Sequence, residues 1–118
     1  MKENIIKEKS FDFALEIIAL YKTLVKENEF ILSKQLLRSG TSIGANVEES
    51  TAAQSVADFI NKLSIASKEA RETRYWLLLL QKSQLVSLDF SSYLNEIEEI
   101  INVLTAIIKT MQQRNSKF

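Results

Sequence analysis

Three charged side chains, Arg38, Glu69 and Glu72, offer this chain's best prospect of site chemistry. Glu69 and Glu72 stand at i and i+3, a spacing that puts both carboxylates on one face of a helix. Paired carboxylates can divide acid and base roles or bind a cation. If two helices form a hairpin turning near Gln54, residues equidistant from the turn lie level. Arg38 is sixteen residues before Gln54 and Ala70 sixteen after, so the guanidinium falls beside Glu69 or Glu72. An adjacent arginine neutralises carboxylates and competes with a cation. The preferred reading is therefore a partly buried ion-pair network that fixes helix register. Glu48 and Glu49 near Lys62, with Asn46 beside them, read as a second inter-helix group of the same kind.

Gly40 and Gly44 lie four apart, close to Ser39, Ala45 and Asn46. A phosphate cradle would need a Lys-Ser/Thr pair after the second glycine and a strand before the first, and neither is present. Small residues on one helical face instead let a neighbouring backbone come close, which suits the centre of a bundle or a subunit contact. Lys62, Lys68, Arg71, Arg74 and Lys82 make one segment locally basic, with Tyr75 and Trp76 interleaved. Lys68, Arg71 and Arg74 are candidate phosphate contacts, with aromatic rings available for stacking on bases. The structural alternative is a solvated helix face with Trp76 as a core or interface anchor.

Composition narrows the chemistry further. The 118 residues include no His, no Cys and no Pro, and the fifteen basic and fifteen acidic side chains cancel. Without His the usual general base at neutral pH and the commonest metal ligand are missing. A di-iron bundle, built on Glu-x-x-His pairs, is accordingly disfavoured, and no cofactor or metal is implied. Balanced charge argues against a general nucleic-acid binder, whose affinity comes largely from phosphate neutralisation. The longest apolar run, Trp76 to Leu80, is far short of a membrane span of about 20 residues. The first ten residues do not resemble a signal peptide, so a cytoplasmic location is expected.

The elements that must position these groups are four helices, predicted over 11–27, 29–52, 55–84 and 91–114, flanked by an N-terminal extension 1–10 and a tail 115–118. Ser10 is the expected cap of the first and Asn28 its expected end. Ala14, Ile17, Tyr21 and Leu24 mark its apolar face, with Leu15, Ile18 and Val25 widening it. The second helix carries Leu32, Leu36, Ile43 and Val47. Its glycine-containing middle is poor in helix formers, and propensity alone would make it a loop. The third is the clearest: Ser55 and Asp58 resemble a capping pair, and Phe59, Leu63, Ala66, Ala70, Thr73, Leu77 and Leu80 form a sustained seam. The fourth repeats the pattern from Leu94 through Ile97, Ile101, Leu104 and Ile108 to Met111. Glu96, Glu98 and Glu99 in its first turns read as charge that compensates the helix dipole. The class is all-α, an antiparallel up-down four-helix bundle.

A bundle helix needs one apolar stripe about 100° wide. The third helix has a second series, Ile65, Glu69, Glu72, Trp76 and Leu79, and the fourth adds Tyr93, Ile100, Val103 and Ile107. Surplus apolar surface of this kind points to self-association, with Ile65, Trp76 and Leu79 as candidate interface residues.

The run from Gln35 through Arg38-Ser39-Gly40-Thr41-Ser42-Ile43-Gly44-Ala45-Asn46 to Glu49 is highly specific. With Asp58-Phe59-Ile60, Lys68-Glu69-Ala70, Glu72-Thr73 and Tyr75-Trp76-Leu77, it resembles a bacterial four-helix bundle family. These proteins were first noticed as reading frames in intervening sequences of large-subunit ribosomal RNA genes. The resemblance covers about 11–112. It implies an up-down bundle with the second helix continuous through the glycines, a ring-like homopentamer, and neither a ribosomal nor an enzymatic role. Retroelement accessory proteins are similar in fold and assembly and bind nucleic acid. They are strongly basic where this chain is neutral, so nucleic-acid binding stays as the alternative function.

Overall fold

The computed structural model describes residues 2–116, in four helices: α1 (Lys2–Lys26), α2 (Leu32–Ser50), α3 (Val56–Ser83) and α4 (Ser91–Ser116). No strand occurs among the described residues. Helices adjacent in sequence pack together, and α1 against α4 closes the ring of four. Cross-helix contacts run in opposite directions along each pair. Ile17 meets Gly40 while Ser10 meets Gly44, and Arg74 meets Glu98 while Gln81 meets Phe90. The bundle is therefore antiparallel, measuring 52 × 22 × 21 Å.

The core is apolar and continuous. It takes Ile6, Phe13, Ile17, Leu20 and Leu24 from α1 and Leu36, Ile43 and Val47 from α2. From α3 come Leu63, Ala66, Ala70, Leu77 and Leu80, the expected seam, with Thr73 buried in line. The α4 contribution is Ile97, Ile100, Ile101, Leu104 and Ile107. Ile100 and Ile107, read from sequence as surplus, are thus inside the monomer. Since α4 touches both α3 and α1, it needs a stripe wider than a single seam.

Three expectations for α1 are corrected. The predicted extension is helical from Lys2 onward. Ile6, seven residues before Phe13, is 1% exposed and extends the core by two turns. Ser10 is consequently no cap; it is buried within the helix and its hydroxyl donates to the Lys7 carbonyl at 3.3 Å. The apolar face is also rotated from the expected one, because Leu15 and Ile18 point outward. At the other end α4 continues to Ser116, past the predicted boundary, while Met1, Lys117 and Phe118 lie outside the described residues.

The turns have clear local causes. Asn28 adopts φ 64° and ends α1, as read from sequence. The Asn28 amide donates to the Val25 carbonyl at 3.0 Å and the Glu29 amide to that of Leu24 at 2.9 Å, the paired pattern of a Schellman end. Helix α2 begins at Leu32, three residues later than expected, because Glu29 caps it from outside. Its buried carboxylate accepts from the amides of Leu32 at 2.9 Å and Ser33 at 2.7 Å. Burial alone pushes the Glu29 carboxyl up; these amide bonds outweigh it and hold the group below its ordinary value. At α3 the Ser55 hydroxyl accepts from the Asp58 amide at 3.0 Å, the expected cap. Gln84, at φ 54°, ends that helix in the left-handed region.

Through its glycines α2 is unbroken. A Cβ on Gly40 would lie 2.9 Å from Ile17 Cγ2, and one on Gly44 would lie 3.3 Å from the Ser10 carbonyl oxygen. The low helix propensity of this segment is offset by close approach to α1. Its hydroxyls are satisfied internally: Thr41 donates to the Leu37 carbonyl at 2.7 Å and Ser42 to that of Arg38 at 2.6 Å.

Candidate functional site

The hairpin of α2 and α3 brings Arg38, Glu69 and Glu72 together at the register that counting from Gln54 predicts. The Arg38 guanidinium donates to Glu69 Oε2 at 3.2 Å through one terminal nitrogen and to Glu72 Oε2 through the other. Trp76 Nε1 donates to the same Glu72 oxygen at 3.0 Å. Beneath them the Thr73 hydroxyl donates to Ser39 Oγ at 2.9 Å, a buried polar link between the two helices. The Arg38 side chain is 49% exposed, Glu72 36% and Glu69 20%, so the cluster forms the outer edge of the α2–α3 contact.

Its chemistry follows from these contacts. The Trp76 hydrogen bond, helped by Arg38, holds the Glu72 carboxyl below its ordinary value despite some burial. A carboxylate kept ionised in this way is a weak proton donor at neutral pH, and the guanidinium beside it already serves two carboxylates. Among the described residues no group of three or more His, Cys, Asp or Glu could hold a metal ion. The arrangement is suited to locking α2 against α3 and to presenting a fixed pattern of charge.

The other predicted ion-pair group is not assembled. Glu48 pairs with Lys7 of α1 at 3.5 Å, and neither Glu49 nor Lys62 makes an ion pair among the described residues. Asn46 donates to the Ser42 carbonyl at 2.9 Å instead. The reason is geometric: Glu48 points to the α1 side of α2, away from α3. The candidate phosphate contacts also divide. Arg74 reaches across to Glu98 of α4 at 3.0 Å, while Lys68 and Arg71 are exposed on the outer face of α3 with Tyr75. Ile65, Trp76 and Leu79, the candidate interface residues, are half-buried along the α2–α3 edge.

The acidic start of α4 is organised by its neighbours, a correction to its reading as dipole compensation. Glu98 pairs with Arg74, and Glu99 accepts from Lys9 Nζ at 2.8 Å. Glu96 faces Glu16 of α1. Burial first, and then the hydrogen bond and like charge of Glu96, push the Glu16 carboxyl up to about 7.

One feature escaped the sequence reading. Phe11, Leu15 and Ile18 of α1 are 64%, 54% and 39% exposed, a contiguous apolar patch at i, i+4 and i+7. With Ala14 they border a groove of about 460 Å³ whose other wall is Thr41, Gly44 and Ala45 of α2. The small side chains that let the helices approach also leave this groove open. Its signal was available: α1 carries two adjacent apolar series, and only one of them can face inward.

The chain matches the family model for the 23S rRNA-intervening sequence protein over residues 2–106. It is also similar to a crystal structure of a protein with unknown function from the S23 ribosomal protein family of Bacteroides thetaiotaomicron. The identity is 54%, with 92% of this chain and 99% of that one covered, and the TM-score is 0.88. No curated protein matches.

Proposed function

The chain belongs to the 23S rRNA-intervening sequence protein family, and from that premise we propose that it is a non-catalytic interaction module acting as a homo-oligomer. A ring-like pentamer in the cytoplasm is the assembly we infer. The observation that carries this reading is the Phe11, Leu15 and Ile18 patch. Three large apolar side chains stand more than a third exposed beside an open groove, on a protein whose core is already full. Patches of this kind on a small domain are covered by partners. The ion-paired state of Arg38, Glu69 and Glu72 supports a structural use for the most site-like cluster. No helix among the described residues is long and apolar enough to cross a membrane. Light scattering on the purified protein at micromolar concentration tests the reading: a mass several times that of the 13.5 kDa chain is expected, and a stable monomer refutes it.

A second reading has its own support. Lys68, Arg71 and Lys82 share an exposed face of α3 with Tyr75, an arrangement suited to phosphate contact with base stacking. This nucleic-acid-binding reading no longer draws on Arg74, which is tied to Glu98. It predicts binding to RNA or DNA that weakens steeply with salt; no gel shift at low salt refutes it.

A further inference from the structure

Two of the three links lie at one end of the bundle. In an antiparallel up-down fold α1 and α3 finish together, so 27–31 and 84–90 are both there. That end is tipped with large apolar side chains: Ile31 is 74% exposed, Leu85 60%, Phe30 48% and Leu88 37%. Local structure does not ask for them. Ile31 occupies the N-cap position of α2, where a short polar side chain is preferred, and makes no side-chain cap bond. Glu29 caps the helix in its place, accepting from the amides of Ile31, Leu32 and Ser33. Position 31 is thereby released from capping, on a backbone that these bonds hold fixed. Leu85 follows the left-handed Gln84, where an apolar residue often folds back onto its helix; here it stays in solvent.

Cations surround these tips. Lys22 and Lys26 at the end of α1, Lys34 in the first turn of α2 and Lys82 in the last turn of α3 are exposed, and none is ion-paired among the described residues. Of the carboxylates at the same end, Glu29 is buried under its amide bonds, Asp89 accepts from the Ser91 amide and hydroxyl, and Glu27 is exposed. The acidic start of α4 stands more than a turn further in, where Glu96 faces Glu16 while Glu98 and Glu99 pair with Arg74 and Lys9.

We propose that this end docks on an anionic lipid surface, the apolar tips entering the boundary between headgroups and acyl chains while the lysines reach the headgroups. Apolar tips beside unpaired lysines are the composition of an interfacial membrane contact, and the long lysine stems let the charges stay in the polar layer as the tips sink. Area argues against a protein in the same place. The end measures 22 × 21 Å, about 460 Å², against the roughly 800 Å² per partner of a standard interface. A bilayer asks for no matched surface, only for side chains that reach about 5–10 Å into it. The end is also a different surface from the α1 flank that carries the self-association reading, so both can be occupied at once.

The test is co-sedimentation of the full chain with vesicles of phosphatidylcholine alone and of phosphatidylcholine mixed with phosphatidylserine. Binding about 10-fold or more stronger to the anionic vesicles is expected, weakening as salt rises. Phe30→Ser/Ile31→Ser is expected to reduce it about 10-fold or more, with helical circular dichroism and light-scattering mass unchanged. Lys26→Glu/Lys34→Glu is expected to abolish the preference for anionic vesicles. Leu85→Ser/Leu88→Ser replaces the first variant if that one does not fold. A wild type that sediments with neither vesicle overturns the proposal. Equal binding to both vesicles overturns it too, by removing the part given to the cations, as does binding that the tip variants leave untouched. If a tip variant instead changes the oligomeric mass, the end seats another copy; if Lys26→Glu/Lys34→Glu loses polynucleotide binding from a wild type indifferent to vesicles, the cations belong to nucleic acid. Either result refutes the lipid contact. A monomeric wild type that still binds anionic vesicles removes the self-association reading and supports this one.

Discussion

Replacing Gly40 with alanine sets helix propensity against packing. Gly to Ala in a helix interior gains about 1 kcal/mol from propensity alone. Here the new Cβ would lie 2.9 Å from Ile17 Cγ2 and 3.1 Å from Cγ1. Ile17 is fully buried, and its β-branched side chain has little rotamer freedom on a helix, so relief requires α1 and α2 to move apart. Overpacking of that kind costs about 1–3 kcal/mol. The expected net change for Gly40→Ala is a destabilisation of about 1 kcal/mol, or roughly 3–5 °C in Tm for a domain of this size. At Gly44 the nearest atom is the Ser10 carbonyl oxygen at 3.3 Å, a contact relieved by a few tenths of an ångström. There the propensity gain nearly offsets the strain, and Gly44→Ala is expected within about 0.5 kcal/mol of wild type. Thermal and urea unfolding by circular dichroism measure both. A third variant isolates the cause: Ile17→Ala alone should cost about 2–5 kcal/mol, and Gly40→Ala added to it should cost nothing further or restore stability. A rise in Tm for Gly40→Ala in the wild-type background would refute the close-approach account and leave the glycines unexplained.

Three further outcomes follow from the polar contacts. Arg38→Ala should destabilise by about 1 kcal/mol, not the 3–5 expected of a fully buried pair, because the cluster is partly solvated; denaturant titration reads the cost, and Trp76 fluorescence should shift as Glu72 is released. Glu16 has a raised folded carboxyl, so its contribution is full below about pH 4.5 and is lost as pH rises through about 7. Solvent screening keeps the effect small at this exposed residue, but Glu16→Gln should flatten the pH dependence of Tm across that window, and an unchanged slope would show that the pair is not coupled. Glu29, lowered by its amide bonds, contributes stability that is present above about pH 4.5 and is lost as pH falls through the depressed folded value. Glu29→Ala should cost about 2 kcal/mol and Glu29→Gln less, with the Ala variant losing helical signal first; equal effects would mean that charge on the cap is irrelevant.

Much of the architecture could be read from residue order. The α3 seam was legible because seven apolar or small residues repeat over many turns with no competing series of equal strength. The Arg38 register was legible because a short turn makes counting from Gln54 meaningful. Helix α1 was misread where local and long-range signals conflict: Ser10 looks like a cap, but burying Ile6 extends the helix past it. Which of its two apolar series faced inward was not legible, since periodicity fixes the angle between stripes and not the direction of the core. Helix α4 was misread for a related reason, as a corner helix between two neighbours needs both of its stripes inside. Glu29 left no usual signal, because it caps α2 from two residues outside the N-cap position, Ile31. The continuity of α2 through Gly40 and Gly44 was implied by family resemblance, and its physical basis, the approach of Ile17 and Ser10, required the fold.

The corner at Glu29 joins two tasks in one residue. Its backbone amide ends α1 and its side chain starts α2, so neither helix end can fray without disturbing the other. A residue inserted between Asn28 and Ser33 would separate the two tasks and misplace α2 along α1 by a fraction of a turn. The same insertion near Ser87, in the exposed link before α4, meets no such double tie. Chain-length variation is therefore expected to be excluded at the first corner and tolerated at the last, and a circular permutant opened at Ser87 should fold where one opened at Phe30 does not.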